Sequence, residues 1–414
     1  MARPDIAFRF VQDGETKIDL PAHQSLKDRF VAANSYSEPK ELFYEIAQTG
    51  KDWNFTVVLG EPAVSRSNKK EIFIYTNGRK IQEYSLVQAV EYGGQGGDSL
   101  DYVLMVEEFA RKSPVLAIYA NTSNSLGGGP LMICGNDEQK EKYLADVAQG
   151  KKIMVFCLTE PGAGSDAGGT ITTAVEDGDY FVLNGRKTFV SGAPVADYAV
   201  VLAKTDPTQK GSRGISMFIV DMKLPGVSLG KPENKMGIKG YPTCDVILED
   251  VRVHKSDLVG KRDKGFGAAM ATLDGGRLGI SAQALGIAEG AFDEALKYAK
   301  ERKQFGKPIA NFQAISFMLA DMATEIEAAR ELIYSTALKK DAGDPEASKF
   351  CAMSKLFAAE MCNRVAYKAV QIHGGYGYIK EYKVERFYRD ARITSIYEGT
   401  SQVQQMVISG NLLK

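Results

Sequence analysis

Between residues 151 and 258 the apolar positions come in short runs or in strict alternation. Segments 152–156, 180–183, 198–202, 215–220 and 246–248 are of this kind, and clusters of Gly, Pro, Asn and Asp separate them at roughly regular intervals. That pattern predicts strands gathered into a compact β barrel or sandwich. From Gly265 the period changes. Segments near 266–301, 311–341, 346–374 and 394–410 carry apolar residues at i, i+3, i+4 and i+7, which predicts helices. The breaks Gly306-Lys307-Pro308 and Asp341-Ala342-Gly343-Asp344-Pro345 divide them, so an antiparallel four-helix bundle is expected. Residues 98–149 read as helical and end near Gly150. Before residue 91 the pattern is strand-like at 54–59 and 71–75, with a turn over 75–79.

Composition narrows the function classes. A chain of 414 residues has room for two or three domains. A net charge of -1 gives no global attraction to nucleic acid or acidic membranes. No apolar run approaches the roughly 20 residues needed to cross a bilayer. The opening Met1-Ala2-Arg3-Pro4-Asp5 has neither a secretory nor a transit character, so a cytoplasmic protein is expected. Cys134, Cys157, Cys244, Cys351 and Cys362 are odd in number and form no C-x-x-C pair, which points to reduced thiols. His23, His254 and His373 are scattered. They supply no metal cluster, and none lies near the G-x-S-x-G elbow of a hydrolase.

Three constellations carry chemistry. In Ile396-Tyr397-Glu398-Gly399-Thr400-Ser401 a carboxylate sits between a tyrosine and a glycine. A carboxylate becomes a general base at neutral pH when burial raises its pKa; alone, Glu398 also reads as a surface acid near a helix start. In Phe156-Cys157-Leu158-Thr159-Glu160-Pro161-Gly162-Ala163-Gly164-Ser165-Asp166, glycines and hydroxyls form a turn able to approach a ring system closely and donate to its edge. An ordinary β-turn cluster gives the same composition. Arg302-Lys303-Gln304-Phe305-Gly306 and Gln371-Ile372-His373-Gly374-Gly375 combine an arginine with a Gly-Gly turn, a pairing suited to pyrophosphate.

Together these motifs, from about residue 91 to 414, resemble the acyl-CoA dehydrogenase family, with bacterial butyryl-CoA dehydrogenases as the nearest pattern. The resemblance implies a multidomain α and β fold. It comprises a truncated helical domain (93–150), a β-barrel middle domain (151–258) and a C-terminal four-helix bundle (259–414), after a small α/β segment (1–92). It implies FAD-dependent dehydrogenation of a short-chain acyl-CoA thioester, or the reverse enoyl reduction, with electrons passed to an electron-transferring flavoprotein. Glu398 would be the catalytic base, its backbone N–H helping to polarise the thioester carbonyl. Phe156, Leu158, Thr159, Gly164 and Ser165 would contact the flavin, with Phe189 and Ser191 closing over its ring. Many relatives have tryptophan where Phe189 stands. Arg302, Phe305, Gln313, Gln371, Gly374 and Gly375 would reach the FAD of a neighbouring subunit in a homotetramer. Thr400 and Gln402 match flavin contacts after the base. Asp274, Arg277, Tyr397 and Gly399 would line the substrate path. Gly276 is small where some branched-chain relatives carry their base, which leaves that role to Glu398.

Residues 2–92 instead resemble part of the transducer domain of the MutL mismatch-repair family. The matching residues are 2–8, Leu20-Pro21-Ala22 followed by Ser25-Leu26-Lys27-Asp28-Arg29, Glu61-Pro62-Ala63-Val64-Ser65-Arg66-Ser67-Asn68, and, best of all, Ile72-Phe73-Ile74-Tyr75-Thr76-Asn77-Gly78-Arg79 with Leu86-Val87-Gln88-Ala89-Val90. No ATP-binding domain precedes this fragment, so ATPase activity is not expected. The basic residues Arg66, Lys69, Lys70, Arg79 and Lys80 suit a solvated face better than a DNA contact. The chain thus reads as a chimera. A divergent dehydrogenase N-terminus is the other reading, and a DNA-repair interaction module or an inactive chimera is the competing function.

Overall fold

The computed structural model describes residues 98–414 and, before them, six strands within the first 84 residues. The chain divides into two compact units, residues 1–84 and 85–414. In the first, β1 (Phe8–Gln12) pairs antiparallel with β2 (Glu15–Leu20). A separate antiparallel sheet runs in the order β3 (Phe43–Gly50), β4 (Trp53–Gly60), β5 (Ile72–Thr76), β6 (Arg79–Gln82). The strand expectations at 54–59 and 71–75 fall on β4 and β5. The basic residues 66–70 and the splice region near residue 91 lie outside the described residues.

The second unit opens with helix α1 (Ser99–Lys112). A capping box starts it: the Asp98 carboxylate accepts from the Asp101 N–H at 2.9 Å, and Asp101 accepts from the Asp98 N–H at 3.3 Å. Helices α2 (Pro114–Thr122) and α3 (Gly129–Cys134) follow, then a helical stretch over 137–148.

The middle of the chain forms one eight-stranded sheet. Its strands are β7 (Met154–Cys157), β8 (Thr173–Asp177), β9 (Tyr180–Ser191), β10 (Tyr198–Lys204), β11 (Ile215–Asp221), β12 (Val227–Leu229), β13 (Thr243–His254) and β14 (Leu258–Val259). The pairing path runs β12-β13-β9-β8-β10-β11-β14, with β7 parallel to β10. Successive side chains face opposite sides, and in β7, β10 and β11 both sides are buried. Val155, Val201 and Phe218 join the domain's internal core. Met154, Val200 and Met217 turn the other way, onto Leu131, Leu144 and Ala269. This explains why these strands are apolar throughout while β9 and β13 alternate.

The last part is helical: α4 (Gly265–Glu301), α5 (Gln313–Asp341), α6 (Ala347–His373), α7 (Lys383–Ala391) and α8 (Ser401–Leu412). The predicted helix at 394–410 is corrected here. Residues 392–395 form a 3₁₀ turn, Glu398 and Gly399 take positive φ, and the helix begins only at Ser401. Apolar period alone does not reveal that break. Helix α7, rich in charged residues, has no counterpart among the predicted segments. Within the bundle α1 lies against α4 almost backbone to backbone. A Cβ on Gly286 would run into the Glu107 carbonyl, and one on Gly290 into the Arg111 carbonyl. Replacing Gly286 with leucine is therefore expected to destabilise the protein by about 1–3 kcal/mol. Urea unfolding checks this; an unchanged midpoint contradicts the packing account.

Candidate active site

Glu398 stands between the 3₁₀ turn and α8, with φ of +50°, and Gly399 follows at +90°. A non-glycine residue in that region costs about 1–3 kcal/mol and persists only where its surroundings hold it. Here they do. Lys355 of α6, fully buried, donates to the Gly399 carbonyl at 2.7 Å. The buried Gln404 amide donates to the same carbonyl at 2.9 Å and to that of Glu398 at 3.3 Å. Thr400 caps α8 by accepting from the Val403 N–H at 3.3 Å.

The Glu398 Oε2 atom is buried without a hydrogen-bond partner. It lies against α4 where Gly276 has no side chain, and a Cβ there would collide with the carboxylate. Burial raises the Glu398 pKa to about 7, against the pull of Lys355 and Arg277. One turn along α4, Gly279 leaves space for Tyr102 and Asn121. Arg277 forms an ion pair with Asp274, and Asp274 also accepts from Ser348 at 3.0 Å. Tyr397 donates its hydroxyl to Gln283, which in turn donates to the Pro114 carbonyl at 3.1 Å.

The glycine-rich turn after β7 is fixed from beneath. Glu160 and Lys187, both buried, pair at 2.7 Å. Glu160 also accepts from the N–H groups of Ile171 at 2.7 Å and Thr172 at 3.1 Å, and from the Thr170 hydroxyl. Lys187 donates to the Leu158 carbonyl at 3.2 Å. Burial alone would raise the Glu160 pKa; the Lys187 charge, the Ile171 N–H and the Thr170 hydroxyl bring it down to about 2. Above this anchor the Thr188 N–H reaches the Thr159 carbonyl at 2.8 Å, joining the turn to β9. Phe189 then projects outward, 66% exposed at a φ of +55°. Ser191 is within 3.3 Å of the Thr243 hydroxyl. Gly164 and Ser165 are exposed, while Phe156, Leu158 and Thr159 are part-buried. Leu126 packs at the Gly276 face and Gly127 lies against the Met154 carbonyl, so one short segment links the Glu398 region to the strand that carries the turn.

Arg302 and Phe305 meet Gly374 and Gly375 around a surface pocket of ≈ 620 Å³, with Tyr298 and Tyr376 in its wall. The Arg302 guanidinium lies 5.4 Å from the Tyr376 ring centre, and Phe305 is 92% exposed. Neither Glu398 nor the Thr159 turn lines this pocket. Gln313, Gln371 and Gln402 are exposed on their helices. The sequence reading passed over Lys187, Lys355 and Gln404. Lys355 did leave a signal: it shares a helical stripe with Ala352, Ala358, Ala359 and Cys362, where a lysine is out of place unless paired.

Family models for the acyl-CoA dehydrogenase N-terminal, middle and C-terminal domains match residues 84–151, 155–251 and 263–413. The chain belongs to the acyl-CoA dehydrogenase family. It is 62% identical over 322 residues to the caffeyl-CoA reductase-Etf complex subunit CarC of Acetobacterium woodii, covering 78% of this chain and 84% of that one. It is 53% identical over 382 residues to the 3-(aryl)acrylate reductase of Clostridium sporogenes, covering 92% and 100%. Among solved structures, butyryl-CoA dehydrogenase from Megasphaera elsdenii superposes with a TM-score of 0.78 at 46% identity, covering 80% and 87%. An acyl-CoA dehydrogenase from Bacillus anthracis, solved with FAD, gives 0.74 at 36% identity, covering 79% and 59%. The family acts as oxidoreductases on CH–CH groups, and the three-domain fold expected from the motifs is the one seen. Among the described residues no helix is long and apolar enough to cross a membrane.

The Glu160–Lys187 pair gives a stability test. Replacing Lys187 with methionine leaves a buried carboxylate without its cation, and the loss is expected to reach about 3–5 kcal/mol. Because the Glu160 pKa is depressed, the pair's contribution is present above about pH 4.5 and declines as pH falls toward 2. Urea titrations at pH 7 and pH 4 measure both; equal stability of the variant and the parent at pH 7 contradicts the assignment.

Proposed function

We propose that this protein is an FAD-dependent acyl-CoA oxidoreductase acting on the α,β bond of a short acyl or enoyl thioester, with Glu398 as the base. The observation that carries the reading is the Glu398 carboxylate itself: shielded, unpartnered at Oε2, and held in a strained turn against the side-chain-free Gly276. The curated relatives named as a caffeyl-CoA reductase subunit and an arylacrylate reductase support the enoyl-reducing direction and an unsaturated, aryl-bearing substrate. Those named short-chain acyl-CoA dehydrogenases support a small aliphatic one. The Etf-complex relative supports an electron-transferring flavoprotein as partner.

The chain's residues fit an isoalloxazine and a pyrophosphate. The anchored turn offers backbone and hydroxyl donors at Leu158, Thr159 and Ser165, and exposed Phe189 offers an aromatic face. Arg302 with Gly374 and Gly375, at a surface pocket away from Glu398, suits the pyrophosphate of a neighbouring subunit's cofactor in a homotetramer. Bound FAD supplies the acceptor, or donor, for the hydride at the β-carbon. In dehydrogenation Glu398 takes the α-proton on its carboxylate. In reduction the protonated acid returns it to the same carbon. The Glu398 N–H donates to the thioester carbonyl and stabilises the charge that develops there. Arg277 and Asp274 hold the CoA entrance, and Tyr397 and Gly399 shape the acyl path. Gly276 keeps the base face of α4 open.

The first unit carries a separate reading. Its antiparallel β3–β6 sheet supports a MutL transducer-like fragment over a dehydrogenase helical domain. The Clostridium relative's alignment, covering 92% of the chain, extends into the same region and supports a divergent dehydrogenase N-terminus. Neither reading assigns this unit a nucleotide site, so no ATP hydrolysis is expected from it.

The base assignment sets two expectations. Glu398→Gln should lower flavin reduction by a saturated thioester at least ~10²-fold while the protein remains yellow; near-normal reduction contradicts the assignment. In the parent enzyme the base must be ionised, so dehydrogenation should rise with pH through about 7, and enoyl reduction should fall over the same range. A rate flat from pH 5 to 9 in both directions contradicts it.

A further inference from the structure

The Gly399 carbonyl accepts two buried donors, and one of them is a charge. Lys355 reaches it from the middle of α6 at 2.7 Å, with no exposed surface of its own. An uncharged donor, Gln404, already serves the same oxygen at 2.9 Å. Satisfying one carbonyl therefore does not require an ammonium, whose desolvation costs several kcal/mol. What sets this position apart is its neighbour. The carbonyl belongs to the residue after Glu398, in a turn where two successive residues hold positive φ.

We propose that Lys355 is the positioning residue of this site: its buried ammonium clamps the Glu398–Gly399 turn and supplies the positive charge that keeps the Glu398 carboxylate ionisable. The proposal rests on Glu398 being the base. Other groups face the same carboxylate. Arg277, on α4, is engaged by Asp274. Glu360, on α6, accepts from Ser401 and acts on Lys355, favouring its charged form. Tyr102 on α1 and Tyr397 both have pKa values pushed up by burial and by Glu398 itself, and stay neutral. Burial lowers the Lys355 pKa to about 8, with Glu398 acting to raise it and Arg277 to lower it. The ammonium thus prevails at pH 7, where Glu398 is about half-ionised. Arg277 has its counter-ion in Asp274; Lys355 makes its hydrogen bond to a neutral carbonyl, so its charge is directed at Glu398.

The test uses FAD-loaded full-length protein and whichever of butyryl-CoA and 3-phenylpropanoyl-CoA reduces the parent flavin faster. Lys355→Met removes donor and charge at similar length. Its acid limb in kcat against pH should move up by about one pH unit, because an opposite charge nearby holds a carboxyl pKa down by about that much or more. Its kcat at pH 7 should fall about tenfold or more with KM little changed, the mark of an interaction made in the transition state. Lys355→Arg keeps the charge and should keep the limb in place. Packing loss alone would lower flavin content or stability and leave the limb unmoved. An unmoved limb in Lys355→Met, or an equal shift in Lys355→Arg, overturns the proposal. Should Lys355→Met fail to load flavin, Lys355→Gln replaces it with the same expected shift. Should both fail, Lys355→Arg decides alone: flavin loading with the parent limb supports the clamp, and loss of flavin or a displaced limb overturns it. Glu398→Gln, run in parallel, separates the two claims. If it keeps the parent rate, the base reading fails; if it is inactive while Lys355→Met is unchanged, only the Lys355 proposal fails.

Discussion

Taking a carboxylate out of water costs several kcal/mol unless its surroundings answer the charge, and that cost organises the helical part of this protein. Glu398 is shielded against Gly276, which raises its pKa to about 7, so that the carboxylate titrates near neutral pH. The same burial would neutralise it further were Lys355 and Arg277 not close by. The positive φ of Glu398 and Gly399 adds strain that Lys355 and Gln404 hold in place. Each of these side chains comes from a different part of the bundle, so the site exists only when α4, α6 and α8 are assembled.

A second buried charge serves the middle domain in another way. Glu160 and Lys187 sit beneath the glycine-rich turn and tie together two backbone segments through three groups: the Leu158 carbonyl and the N–H groups of Ile171 and Thr172. Here the carboxylate is held ionised, with a pKa near 2. It is an anchor, whereas Glu398 is poised to exchange a proton. The two carboxylates differ in their partners: direct ion pairing and several donors in one case, an unpartnered oxygen in the other.

Much of this was legible in the sequence. Apolar runs placed the strands 154–157, 198–204 and 215–221, and the 3.6 period placed α4, α5 and α6. The motifs singled out Glu398 and the Thr159 turn. What periodicity missed was local and polar. The interruption before Ser401 arises from hydrogen bonds to Gly399 that come from residues 44 positions earlier and five later. The short charged helix Lys383–Ala391 carries Val384, Phe387 and Ala391 on its buried face, but nine residues are too short a window for the helical period to stand out. Lys355 stands on an apolar stripe that hints at burial, but its partner, like that of Lys187, is set only by tertiary packing. Such pairings depend on long-range contacts, which a one-dimensional pattern does not contain.

The central claim is that Glu398 exchanges a proton with the α-carbon of a bound thioester. The most direct measurement is NMR of α-hydrogen exchange into D₂O for 3-thiabutyryl-CoA, a thioester analogue with sulfur at the β-position, bound to the FAD-loaded protein. The account predicts deuterium at the α-carbon with the parent enzyme, at a rate rising through about pH 7, and none above background with Glu398→Gln. Exchange that proceeds equally in both proteins would contradict it.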